Sequence, residues 1–352
     1  MRQTTTANYL IVCLKHQRKL FKIFCLLKTM VQKLGLPIAL WNHNEVPIFQ
    51  EAKRRLESRF SQQGVQIGAF YFEGGRAMLP ENIEAAAKNS RTTQVIAAQR
   101  AFVDNYALNN ITEMRQPVDA TAPLYRTGPL NLDFHIGVTA TDDKQLGDIA
   151  SRQRELTEII VRHLGDLADV AHGYGLGLVI ESSPPVVVEP MRGVIRPHYF
   201  AFTTLQRLLE ITHAVGKGNL GICFDAATLA LVRTADAATP EMKARTARIN
   251  GFTAWEDFTA AYGTFNAWVS ASREYQLSNS AGIGAHLETH PEELARWGTM
   301  GTIEGGLTKE EMLHLLRVAS EREVPTSLEV ELDEKNLTYK ETDELLEWLW
   351  PK

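Results

Sequence analysis

Short runs rich in branched and aromatic residues alternate along the chain with longer stretches whose apolar positions recur every three to four residues. The short runs predict strands at 9–15 (YLIVCLK), 36–41 (LPIALW), 65–72 (VQIGAFYF) and 132–138 (LDFHIGV). Four more follow at 176–182 (LGLVIES), 220–226 (LGICFDA), 281–288 (AGIGAHLE) and 326–332 (TSLEVEL). The longer stretches predict helices, such as IFQEAKRRLESRFSQQG, RQRELTEIIVRHLGDLADVAHGYG, TTLQRLLEITHAVGKG and TKEEMLHLLRVASERE. Strand alternating with helix implies parallel strands joined by crossovers, and eight such units predict a single (β/α)8 TIM barrel, an α/β fold. A doubly wound nucleotide-binding sheet is disfavoured. The glycine-rich stretch GTMGTIEGG (298–306) comes after the seventh expected strand and lacks the G-x-G-x-x-G spacing.

Two stretches exceed a minimal unit. Residues 73–130 and 232–280 read as extra helices inserted after strands 3 and 6, and both would sit at the C-terminal face, where barrel loops build sites. The expected organisation is one domain over 1–352. Residues 1–34 form an atypical segment, with Arg2, Lys15, Arg18, Lys19, Lys22, Lys28 and Lys33 but no acid before Glu45. It reads as the first β/α unit, against a rival reading as an amphipathic targeting or membrane-surface segment. Bases interrupt its apolar runs well short of the roughly 18 residues a spanning helix needs.

Alternation assigns the lumen-facing side chains. In 220–226, Leu220, Ile222 and Phe224 take the helix-facing side, leaving Gly221, Cys223 and Asp225 inward. The same phase turns Asp133, His135 and Gly137 inward on the fourth strand and Gly177, Val179 and Glu181 on the fifth. On the seventh it turns Gly282, Gly284 and His286 inward, and on the eighth Ser327, Glu329 and Glu331. Four consecutive strands thereby each place one metal-competent group near the C-terminal end of the lumen: Glu181, Asp225, His286 and Glu329. Each has a simpler reading: Asp225 as a helix cap or turn acid, Glu181 as a loop acid, His286 as a polar group at the mouth, Glu329 on a solvated edge. Their shared phase favours a common role. Three crowded carboxylates repel one another unless protonated or bridged by a cation, and one imidazole among oxygen ligands suits Mn²⁺ foremost, or Mg²⁺, Co²⁺ or Zn²⁺.

With these residues in view, the chain resembles the xylose isomerase-like barrel superfamily, and within it D-tagatose 3-epimerase and related ketose epimerases. The stretches GLVIESS, GICFDAA, IGAHLET and TSLEVEL carry the resemblance, with WGTMGTIEGGLTKEEMLHLL similar to the loop and helix after the seventh strand. The resemblance implies that Glu181, Asp225, His286 and Glu329 hold one divalent metal. It also implies that Glu181 and Glu329 serve as base and acid, inverting a carbon or isomerising a sugar through a metal-stabilised enediolate. The chain departs from the pattern at Thr228, where the epimerases usually carry a substrate-contacting histidine. The endonuclease IV branch needs that histidine too, and an Asp-x-His pair near ARWG (295–298), so DNA repair is disfavoured. His135 is similar to a metal-site histidine of that branch and is read as a substrate contact, against a packed barrel histidine. Arg192 and Arg296 are candidates to steer a hydroxyl or phosphate, and Trp41 and Phe72 to wall the sugar, against solvated bases and packed aromatics. Cys223 reads as a small buried hydrophobe.

Composition narrows the field further. A formal charge of −5 leaves no footprint for nucleic acid, and 44% hydrophobic residues suffice for a large core. Three cysteines, Cys13, Cys25 and Cys223, are too few and scattered for a disulfide framework, which fits a reducing cytoplasm. The expectation is a cytoplasmic, metal-dependent sugar isomerase or epimerase acting on a small sugar, without nucleic acid or membrane partners. Its competitors are a lyase of the inosose dehydratase type and a non-catalytic sugar-binding barrel. A homo-oligomer is implied by the resemblance alone.

Overall fold

The structure, a computed structural model, describes residues 32–38, 45–71, 96–98, 119, 131–136, 138–181, 183–191, 194–235, 238–280, 300–303, 305–328 and 338–351. Eight parallel strands close a barrel: β1 (Gln32–Ile38), β2 (Val65–Tyr71), β3 (Ile96–Ala98), β4 (Asn131–His135), β6 (Gly177–Glu181), β9 (Leu220–Asp225), β10 (Glu274–Leu277) and β13 (Thr326–Leu328). Closure joins β1 to β13 through Gly35 and Ser327. The remaining strands lie at the C-terminal side. β5 (Thr139–Ala140) and the β7–β8 hairpin (Val186–Met191 and Val194–Phe200) make a three-stranded antiparallel sheet after β4 and β6, and β11 (Asn279–Ser280) pairs β12 (Met300–Thr302) after β10.

The barrel corrects two strand assignments and one insertion. Its eight strands begin at Gln32, so the run at 9–15, which lies outside the described residues, is not needed to close it. The third strand is the three-residue β3, inside the 73–130 stretch that patterning reads as extra helices, so that stretch carries part of the regular barrel. The seventh is β10, not 281–288, which lies outside the described residues. β10 pairs with β9 on one side and β13 on the other, leaving no gap for another strand.

Alternation holds where the sequence marks it. Leu132 and Phe134, Leu178 and Ile180, and Leu220, Ile222 and Phe224 are buried towards the helices, where Phe224 stacks on Trp268 with ring centroids 5.4 Å apart. Fully burying such side chains favours the fold by about 1.5–3 kcal/mol each. The helices end on local signals. The 22-residue helix Gln153–Tyr174 stops at Gly175, whose φ of 75° is the left-handed turn that glycine adopts at little cost. Between β9 and β10 lie four helices, Ala226–Arg233, Pro240–Ile249, Trp255–Tyr262 and Phe265–Ala271. The helix Lys309–Arg322 starts in a capping box in which Thr308 and Glu311 satisfy each other's backbone N–H groups. Thr308→Ala is therefore expected to cost about 1 kcal/mol in chemical denaturation, with the denaturant slope unchanged. Among the described residues no helix is long and apolar enough to cross a membrane.

Candidate functional site

Two tiers of polar side chains face the lumen towards its C-terminal end. The upper tier comprises His135 ending β4, Glu181 ending β6, Asp225 ending β9 and Gln276 on β10, all buried. Register links them: His135 pairs with Glu181, Glu181 with Cys223, and Gln276 with Asp225. The lower tier comprises Asp133, Cys223 and Glu274, each two residues before a member of the upper tier on its own strand.

Glu181 is held from two sides. Gln276 Nε2 donates to its Oε2 at 2.8 Å, and His135 Nε2 stands 3.4 Å from its Oε1. The other imidazole nitrogen, Nδ1, lies 3.1 Å from Ser183 Oγ, on the loop following β6. The hydroxyl can accept from or donate to that nitrogen, so the ring can present either a proton or a lone pair to Glu181. Gln276 Nε2 also donates to Asp133 Oδ2 at 2.9 Å, tying the upper tier to the lower. Behind β10, Tyr275 packs on the helix side and donates its hydroxyl to the Val269 carbonyl at 2.6 Å. Burial pushes its phenol above the ordinary tyrosine range.

Asp225 answers a question its sequence context poses, since an apolar strand ends there on an acid. Its Oδ1 accepts from Ala227 N at 2.9 Å, capping the helix Ala226–Arg233 that follows without a linker. The cap occupies one carboxylate oxygen directly. Thr228 is buried, and its hydroxyl donates to the Asp225 carbonyl at 2.8 Å, so it serves the same first turn.

Of the other residues singled out by sequence, His286, Glu329, Arg192, Arg296, Trp41 and Phe72 lie outside the described residues or have side chains that do. The argument that set His286 inward on the seventh strand does not hold, because that strand is β10 and presents Glu274 and Gln276 to the lumen. Sequence reasoning missed both residues. The available signal was the alternation of Tyr275 and Leu277, which are fully buried towards the helices.

The described donor set suits a divalent cation in part: the carboxylates of Glu181 and Asp225 stand on neighbouring strands, with an imidazole beside the first. Chemically, the arrangement offers a buried carboxylate oriented by an amide and an imidazole, which is what a group that takes and returns a proton requires.

No family model matches the sequence, and no curated protein matches it. Solved structures do. The 3-keto-D-glucoside 4-epimerase of E. coli is 12% identical over 91% of this chain and 98% of its own, with a TM-score of 0.50. A probable 3-DHS dehydratase of Bacillus anthracis, involved in petrobactin synthesis, is 13% identical over 91% of this chain and 100% of its own, with a TM-score of 0.51. A xylose isomerase domain protein of Planctomyces limnophilus is 15% identical over 92% and 96%, with a TM-score of 0.49. The likeness is one of fold: the chain shares its barrel with the E. coli epimerase and the Bacillus anthracis dehydratase.

Proposed function

We propose that the protein is a divalent-metal-dependent sugar isomerase or epimerase in which Glu181 moves the proton. The observation that carries this reading is the Glu181 carboxylate, buried at the C-terminal end of a barrel strand and held by Gln276 at 2.8 Å and His135 at 3.4 Å. In a barrel the loops at that end build the site, so a carboxylate there faces whatever the loops admit. Fold neighbours that include a 3-keto-D-glucoside 4-epimerase and a probable 3-DHS dehydratase are in keeping with this chemistry.

Glu181 and Asp225, with Glu329 and, on the resemblance of the stretch IGAHLET alone, His286, would hold a divalent cation, Mn²⁺ foremost, whose Lewis acidity would lower the pKa of a C–H beside a bound carbonyl. Glu181 takes that proton, and the Gln276 amide keeps the carboxylate aimed while its charge changes. Glu329 is the proposed partner that returns a proton on the other face, which inverts the carbon. Return at the adjacent carbon isomerises the sugar instead. His135 can hold a substrate hydroxyl beside Glu181, its ring fixed by Ser183.

Elemental analysis of the purified protein beside Asp225→Ala tests the metal. The Asp225→Ala variant is expected to hold about one equivalent of Mn, Mg, Co or Zn less than the parent. Ketoses are then screened for solvent-deuterium incorporation. Exchange without water loss supports epimerisation or isomerisation, and an enone chromophore would mark a dehydratase. No exchange by the metal-loaded protein across the panel would overturn the reading.

A further inference from the structure

Beneath the mouth, Asp133, Cys223 and Glu274 come from three different strands to one point of the lumen. One ligand atom from each lies within 4.8 Å of the others, and the three residues are 2%, 0% and 1% exposed. We propose that they form a second, thiolate-bearing metal site for a zinc-class divalent cation, separate from the ion at the mouth and independent of the reaction proposed there.

Three observations support it. The first is the composition of the cluster: two carboxylates and a thiol are anionic or acidic groups that repel or protonate one another when crowded in a buried space. Two neutral amides bond the carboxylates, Asn131 Nδ2 donating to Glu274 Oε2 at 3.0 Å and Gln276 Nε2 to Asp133 Oδ2 at 2.9 Å. The second is Gln276 itself. It is 2% exposed, its amide abuts the cluster at Asp133, and its Oε1 accepts no hydrogen bond among the described residues. That neutral oxygen, on a side chain hydrogen-bonded to Asp133, is available as a fourth donor for a tetrahedral ion. The third is scale. Zinc binds thiolate sulfur at about 2.3 Å and carboxylate oxygen at about 2.0–2.2 Å, so tetrahedral ligand atoms stand roughly 3.6 Å apart. The cluster needs to draw in by up to roughly 1.2–1.4 Å to meet that spacing.

Donor softness selects the ion. Sulfur with two carboxylates favours Zn²⁺ or Co²⁺ over Mg²⁺ and Mn²⁺, the reverse of an all-oxygen set. Binding would displace the Cys223 proton to solvent and leave a thiolate on the metal, with no oxidation or reduction.

Cobalt reports the sulfur ligand directly. The full chain is produced in cobalt-supplemented minimal medium, so that a closed site fills during folding, and its near-ultraviolet absorption is recorded. The expected result is a thiolate-to-cobalt charge-transfer band in the parent that persists in Asp225→Ala and is lost in Cys223→Ser. The persistence separates this site from the mouth, because Asp225→Ala is the variant that removes the mouth ion. Should Cys223→Ser fail to fold, Glu274→Gln and Asp133→Asn serve in its place. Each is expected to shift or abolish the band while circular dichroism stays that of the parent. A folded parent with no such band overturns the site. A band surviving Cys223→Ser, and so arising from another cysteine, overturns it too. Loss in Asp225→Ala as well as Cys223→Ser would mean one shared ion and overturn a separate site.

Discussion

Glu181→Gln is expected to lower solvent-deuterium exchange into the turned-over ketose by roughly 10²–10⁴-fold, the ordinary contribution of a positioned acid–base group. The substitution keeps shape and size, so any loss is of charge and basicity. Its amide oxygen can still accept from Gln276 Nε2, the bond that orients the parent side chain at 2.8 Å. The melting temperature should therefore move little. Removing one negative charge from a tier that also holds Asp225, above Asp133 and Glu274, relieves repulsion and offsets some of the lost hydrogen bonding. Exchange is read by NMR in D2O as loss of the substrate C–H signal, with folding checked by circular dichroism. Lost exchange with an unchanged melting temperature and an unchanged metal content assigns Glu181 to the proton transfer, whereas lost metal would assign it to holding the ion. Unchanged exchange would reduce it to a structural acid and remove the basis of the proposed reaction.

The inward tier was legible wherever an apolar alternate face fixed the phase. Leu132 and Phe134, Leu178 and Ile180, and Leu220, Ile222 and Phe224 each mark the helix side of a strand. Asp133, His135, Glu181, Cys223 and Asp225 then fall inward by parity alone. The method failed at β10 for the reason that makes that strand interesting. Its lumen face carries Glu274 and Gln276, so the stretch EYQL has only Tyr275 and Leu277 to declare it, while AGIGAHLE just beyond shows a cleaner alternation. β3 was missed because three residues are too short for any period to register. The β7–β8 hairpin was missed because Pro190 and Pro197 argue against a strand, although Pro190 lies on the edge strand β7 and Pro197 lies on β8 before the residues that pair with β5. Asp225 shows the opposite case, since parity and local capping both apply to it and one carboxylate serves the helix as well as the lumen.

The largest stability loss is expected at Asn279, just after β10. The residue is fully buried, and its side chain uses its whole hydrogen-bonding capacity on backbone groups. Oδ1 accepts from Ser280 N at 2.9 Å and Leu307 N at 3.0 Å, and Nδ2 donates to the carbonyls of Ile303 at 3.2 Å and Leu307 at 3.0 Å. One amide thus ties the exit of the seventh barrel strand to the segment entering the helix Lys309–Arg322. The segment has little freedom to find substitutes. A Cβ on Gly306 would stand 2.5 Å from the Ala230 carbonyl oxygen, so the backbone is already pressed against the helix after β9. Asn279→Ala leaves two buried N–H groups and two carbonyls to seek water, and it is expected to cost about 4 kcal/mol, or roughly 5 °C in Tm. Asn279→Asp should cost at least as much, because a carboxylate keeps the acceptors but sets negative charge against the Ile303 and Leu307 carbonyls. Thermal melting of the two variants separates the causes. If the alanine variant loses much and the aspartate variant little, the amide's donors are dispensable and the two N–H groups bonded to Oδ1 carry the joint. If both lose heavily, the donors matter as well, and the placement of Glu274 and Gln276 depends on a single asparagine outside both tiers.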